Sequence, residues 1–148
     1  MEKLIIIDSC MREESRTRVI LEAAKEVLSA RYDIETIDVN GTGLPPLTPG
    51  TLKERTLGRV PEEALSIAGR LASADRIVIA APFWDMSFPA ILKAFFENMS
   101  LYNVTFTDDG TTCTGICRCS KVLYITTRGM NIPTGDFRDQ GSSYLQAL

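Results

Sequence analysis

At 148 residues, with 45% hydrophobic and 24% charged side chains, the chain is long enough for one domain with a real core and too short for two. A formal net charge of −3 argues against a general nucleic-acid binder, and no run of about 18 apolar residues marks a membrane span. Met1-Glu2-Lys3 leads straight into a strand-like segment without a signal-peptide pattern, so a cytoplasmic location is expected, with Cys10, Cys113, Cys117 and Cys119 as reduced thiols.

The first element is a strand, Leu4-Ile5-Ile6-Ile7, whose unbroken apolar run fits burial on both faces and whose end is marked by the polar Asp8-Ser9-Cys10. A helix follows from about Ser15 to Ala30, with Val19, Ile20, Ala23, Ala24, Val27 and Leu28 as its expected buried face. Residues 33–39 alternate as a more exposed edge strand does. The next twenty residues hold four glycines and three prolines and read as one long loop. Pro61-Glu62-Glu63 then opens a helix, with proline and carboxylates suited to a first turn, and Ala64, Ile67, Ala68, Leu71 and Ala72 form its buried face.

Ile77-Val78-Ile79-Ala80-Ala81 is a second continuous apolar run, stopped by Pro82. An aromatic loop leads to a helix starting near residues 87–89 and carrying Ile91, Leu92, Phe95, Phe96 and Met99 at helical spacing. Residues 103–107 and the turn signal Asp108-Asp109-Gly110 predict a small hairpin. Val122-Leu123-Tyr124-Ile125 is expected as the next buried strand, and residues 142–148 as a helix. Strand and helix alternate throughout, which predicts an α/β fold: a doubly wound parallel sheet with helices on both faces.

In such a sheet the chemistry belongs to loops at the carboxyl ends of the strands. The first, from Asp8 to Thr17, groups the hydroxyls of Ser9, Ser15 and Thr17 at a helix start, where a phosphate can bind. Arg16 and Arg18 in the first turn oppose the helix dipole unless an anion lies nearby; Glu13 and Glu14 are the alternative counterweight. The second loop offers Phe83, Trp84 and Phe88 as an aromatic wall, and the third, Thr127-Arg128-Gly129-Met130, a glycine that permits close backbone approach. Together these suit a phosphorylated planar heterocycle.

The opening strand with Ser9 and Ser15-Arg16-Thr17, the block ADRIVIAAPFWDMSFPAILKAFFENM, NVTFT with a glycine turn, and KVLYITTRGM occur in the order found in one family. On these pieces the chain resembles the flavodoxin-like NAD(P)H:quinone oxidoreductases and FMN-dependent azoreductases. The resemblance implies one flavodoxin-like domain over residues 1–148, strand order 2-1-3-4-5, without the family's last strand and helix: either the chain is a fragment or a partner subunit covers the edge of the Val122–Ile125 strand. It implies non-covalent FMN, with Ser9, Ser15, Arg16 and Thr17 at the phosphate. Pro82, Phe83, Trp84, Asp85 and Met86 would line the isoalloxazine and ribityl chain, and Thr127, Arg128, Gly129 and Met130 the other flavin-contacting loop. NADH or NADPH would donate a hydride to the flavin, and a quinone, azo compound or similar small molecule would accept it, in a homodimer whose sites are completed by the partner. Because the flavin carries the chemistry, no catalytic side chain is implied, and the lack of histidine is no objection.

Two other functions stay open on sequence alone: an FMN-binding electron carrier, and a flavin-free interaction protein on the same scaffold. Cys113, Cys117 and Cys119 depart from the family pattern, but their spacing lacks the paired C-x-x-C of ordinary zinc sites, and no metal is expected.

Overall fold

Three apolar runs become the parallel strands at the heart of the molecule, a computed structural model that describes residues 1–148. Strand β1 (Glu2–Asp8) pairs in parallel with β2 (Tyr32–Asp38) on one side and β3 (Arg76–Ala80) on the other. Strand β6 (Val122–Ile125) adds to β3, giving the order β2-β1-β3-β6. Between β3 and β6 lies a separate antiparallel hairpin of β4 (Phe106–Asp108) and β5 (Cys113–Gly115), whose turn places Gly110 at φ 86°.

Alternation along the strands sends side chains to two cores. Ile5, Ile7, Ile37 and Ile79 meet α3 (Glu62–Ser73) and α4 (Ala90–Met99) in the larger, where Ile67, Leu71, Leu92 and Phe95 are buried. Leu4, Ile6, Val78 and Ile125 meet Leu21 of α1 (Arg16–Leu28) in the smaller. Helix α5 (Gln140–Ala147) lays Tyr144 against Phe88 and Phe96. No helix is long and apolar enough to cross a membrane.

Four expectations need correction. Helix α1 turns Thr17, Leu21, Ala24 and Leu28 inward, whereas Val19 (71% exposed), Ile20 and Val27 (74%) face out and Ala23 is exposed. The inward face packs Leu21, Ala24 and Leu28 on the smaller core and places the Thr17 hydroxyl against Thr127, so it is not the most apolar one. Strand β6 is only half buried: Val122 (56% exposed) and Leu123 face out because one flank of the strand has no neighbour. Phe88, read as part of a ligand wall, is a core residue packed edge-on to Phe96 and Tyr144.

The expected long loop contains a 3₁₀ turn (Val39–Gly41) and the helix α2 (Pro49–Thr56), started by Pro49 behind a reciprocal Thr48/Thr51 capping box. Helix α2 buries none of its side chains. Arg55 anchors it, donating to the carbonyls of Glu97, Asn98 and Ser100 at the end of α4 and to Asn98 Oδ1.

Candidate functional site

The strand order reverses between β1 and β3, and the crevice at the carboxyl ends of these strands is the topological switch point where open α/β sheets bind ligands. Three loops meet there. Ser9 follows β1 and is fully buried, its N–H and hydroxyl both donating to the carbonyl of Ala80 on β3. Phe83 N–H donates to the carbonyl of Thr127 (3.1 Å), and the hydroxyls of Thr17 and Thr127 share a hydrogen bond of 2.7 Å. The first loop is thereby tied to the third, and the third to the second.

Ser15 is the N-cap of α1, its Oγ accepting from Arg18 N–H at 3.2 Å. Arg16 stands exposed at the first helical position and joins none of the chain's salt bridges. The N–H groups of residues 11–15 donate to no acceptor in the chain, and those of Arg16 and Thr17 lie in the turn where a helix leaves its donors free. Strand end and helix start therefore present a run of unpaired N–H groups beside two hydroxyls and one free guanidinium, a donor set suited to an anion. Arg18 is not part of that set: its Nε lies 3.2 Å from Asp8 Oδ2, so its charge is already offset.

Beside this cradle, Pro82 ends β3 and residues 84–87 form a two-residue hairpin turn. Trp84 and Ser87 exchange both backbone hydrogen bonds (3.0 and 2.9 Å) around Asp85 at φ 48° and Met86 at φ 64°. Two consecutive non-glycine residues in the left-handed region cost about 1–2 kcal/mol each, a strain that concentrates at functional sites. The turn leaves Trp84 and Asp85 exposed and Met86 half-buried.

In the third loop Gly129 and Met130 are exposed. Gly129 has an ordinary φ and open space around it, so the backbone itself does not require glycine there. Arg128 is internal: it donates to Ile132 O (2.8 Å) and Asp139 Oδ2 (3.0 Å), with its guanidinium 5.0 Å from the Phe83 ring centre. Asp139, 2% exposed, also caps α5 by accepting from Ser142 N–H. Burial alone would raise the Asp139 carboxyl, but hydrogen bonds from Ser142 and Arg128 bring it below the ordinary carboxylate value. Burial, by contrast, pushes the Cys10 thiol up to about 11.

The reading of residue types did not single out Asp139; its place three residues before Ser142, at a helix start, was the available signal. Two cavities flank α5 instead of lying over the cradle. One of about 490 Å3 is lined by Ser87, Phe88, Lys93, Gln140, Ser143 and Tyr144, and one of about 360 Å3 runs along β6.

Residues 1–148 match the family described as having the flavodoxin-like fold. The chain belongs to that family. Among flavodoxin-like proteins it is 35% identical over 127 residues to the FMN-dependent NADH:quinone oxidoreductase 2 of Clostridium acetobutylicum, covering 78% of this chain and 60% of that protein. A second relative, the FMN-dependent NADH:quinone oxidoreductase of Caldicellulosiruptor bescii, is 28% identical, with 100% of this chain and 79% of the relative covered. An FMN-dependent NADH-azoreductase of Bacillus anthracis, solved in complex with FMN, superposes with a TM-score of 0.77 at 23% identity, covering 99% of this chain and 80% of the other. That likeness concerns the flavodoxin-like fold. The chain thus spans about three-fifths of the length of the C. acetobutylicum relative.

Proposed function

We propose that the chain is the FMN-binding part of an NAD(P)H-dependent oxidoreductase that reduces a quinone, an azo compound or a similar small acceptor, and that it works as a cytoplasmic homodimer. The observation that carries this reading is the junction of three loops at the switch point, where Thr17 and Thr127 are hydrogen-bonded at 2.7 Å. The names of the C. acetobutylicum and C. bescii relatives support the choice of FMN and NADH.

The residues present fit such a cofactor. Five unpaired N–H groups at residues 11–15, the O–H of Ser15 and the free charge of Arg16 match a single phosphate, with the Ser9 and Thr17 hydroxyls tying the cradle to Ala80 and Thr127. The exposed face of Trp84 with Phe83, Pro82 and Met86 offers an apolar shelf to a ring system, and the open loop of residues 127–130 faces the same crevice. When bound, FMN supplies two-electron chemistry between a nicotinamide and the acceptor. The protein binds and orients. Ser15 has one lone pair committed to Arg18 N–H and keeps its single O–H for the phosphate. The Arg128–Asp139 pair secures Phe83 and the third loop, fixing one wall relative to the other. A second copy laid over the shelf would exclude water from the reacting face.

Reconstitution tests the reading. Titrated with FMN, the protein should shift and quench flavin fluorescence; under anaerobic conditions NADH or NADPH should bleach the bound flavin, and a benzoquinone or an azo dye should restore its colour. Binding of FAD but not FMN, or a bound flavin that neither nicotinamide bleaches, would overturn it.

A further inference from the structure

We propose that the Asp8–Arg18 pair is a positioning device, which turns the strand-to-helix loop into a donor-only cradle for the cofactor phosphate without touching the phosphate itself. The inference rests on the FMN reading above and concerns how that site is made.

Arg18 stitches the loop at three places. Its Nε reaches Asp8 Oδ2 (3.2 Å), its Nη2 the carbonyl of Cys10 (2.6 Å) and its Nη1 the carbonyl of Arg12 (3.2 Å). Asp8 answers from the other side, its Oδ1 accepting from Cys10 N–H at 2.8 Å, and Asn40 Nδ2 adds a second donor to the Cys10 carbonyl. Of the pair's three nitrogens and two oxygens, Nε and Oδ2 join the two side chains and the other three bond the backbone of the loop.

The consequence follows from the planar trans peptide. A carbonyl held toward Arg18 forces the N–H of the next residue the opposite way, so fixing the carbonyls of Cys10 and Arg12 aims the N–H groups of Met11 and Glu13 away from the guanidinium. Neither of these N–H groups finds an acceptor in the chain. Two carbonyl oxygens that would repel an anion are thus sequestered, and the donors of the same peptide units are left to it. Lysine could not reproduce this, because an ammonium lacks the planar fork that reaches three acceptors in fixed directions.

Arg18 as positioning group and Arg18 as phosphate ligand make opposite forecasts for Asp8. If Arg18 bound phosphate, Asp8→Asn would release it and tighten FMN. As a positioning pair, Asp8→Asn should weaken FMN about ten-fold, as should Arg18→Gln, the loss of one hydrogen bond to a charged group. The double variant should be no weaker than Arg18→Gln alone, because the pair acts as a unit. Arg18→Lys should remain as weak as Arg18→Gln. Riboflavin, which lacks the phosphate, should change less than two-fold in all of them, with circular dichroism confirming that each variant is folded.

Tighter FMN binding by Asp8→Asn, full rescue by Arg18→Lys, or equal losses for FMN and riboflavin would each overturn the proposal. Should the unaltered protein bind neither flavin, the FMN reading falls, and inorganic phosphate followed at the amide resonances of residues 11–15 decides the cradle separately. Shifts present in the unaltered protein and lost in Arg18→Gln keep it; no shifts, or the same shifts in both, overturn it.

Discussion

Replacing Ser15 separates a structural role from a binding role at one atom. Its Oγ caps α1 by accepting from Arg18 N–H, and the residue is buried, so Ser15→Ala should lower stability by about 1 kcal/mol through the lost cap. For a domain of this size that is a fall of roughly 2–4 °C in Tm. The remaining O–H is the group assigned to phosphate, and a lost hydrogen bond to a charged partner costs about 1.5–3 kcal/mol, a ten-fold or greater weakening of FMN. Ser15→Asp keeps the cap, since aspartate is a preferred N-cap residue, but sets a carboxylate against the phosphate. It should match or exceed the unaltered protein in urea denaturation while binding FMN far more weakly than Ser15→Ala does. Fluorescence titrations with FMN and riboflavin, paired with denaturation curves of the flavin-free proteins, measure both. If Ser15→Asp binds FMN as the unaltered protein does, or if FMN and riboflavin lose affinity equally, the phosphate does not lie at the start of α1.

The buried Asp139 carboxyl lies below its ordinary value, so its contribution to stability is present above the unfolded value of about 3.9 and is lost as pH falls through the folded one. Urea unfolding between pH 3 and 6 should show that loss, and Asp139→Asn should flatten it while lowering stability at pH 6. With its thiol pushed up to about 11 by burial, Cys10 should resist iodoacetamide at pH 8 while the exposed Cys113 reacts; mass spectrometry should find Cys10 labelled only after unfolding. Phe95→Ala, in the centre of the larger core, should cost about 3–5 kcal/mol in the same denaturation assay.

The parallel sheet was legible because Leu4-Ile5-Ile6-Ile7 and Ile77-Val78-Ile79-Ala80 are apolar without interruption, as strands covered on both faces must be. The same rule failed for Val122 and Leu123, since an apolar run does not disclose whether its neighbours are in place. For α1, counting apolar side chains selected Val19, Ile20 and Val27, while the actual inward face includes Leu21 and the polar Thr17, whose hydroxyl partner lies 110 residues away in sequence. Helix α2 was obscured by the glycines and prolines around it, although Thr48-Pro49 with Thr51 carried the starting signal. At the site, the serines and threonine could be picked out by type and position. The ion pairs of Arg18 with Asp8 and Arg128 with Asp139 could not, because their partners are brought together only by the fold.

The way α2 is fastened makes it separable from the rest of the molecule. A helix that buries no side chain has no hydrophobic reason to stay, and it is held by Arg55 at the end of α4, where Asn98 accepts from Arg55 and with its own Nδ2 grips the carbonyl of Pro45 (2.8 Å). Releasing those bonds would let α2 lift, while Leu44 and Val60 on either side stay packed against the larger core, a local opening with an energy far below that of global unfolding. A protease should therefore nick the chain within residues 42–60 first, and Asn98→Ala should speed that cut more than it lowers Tm.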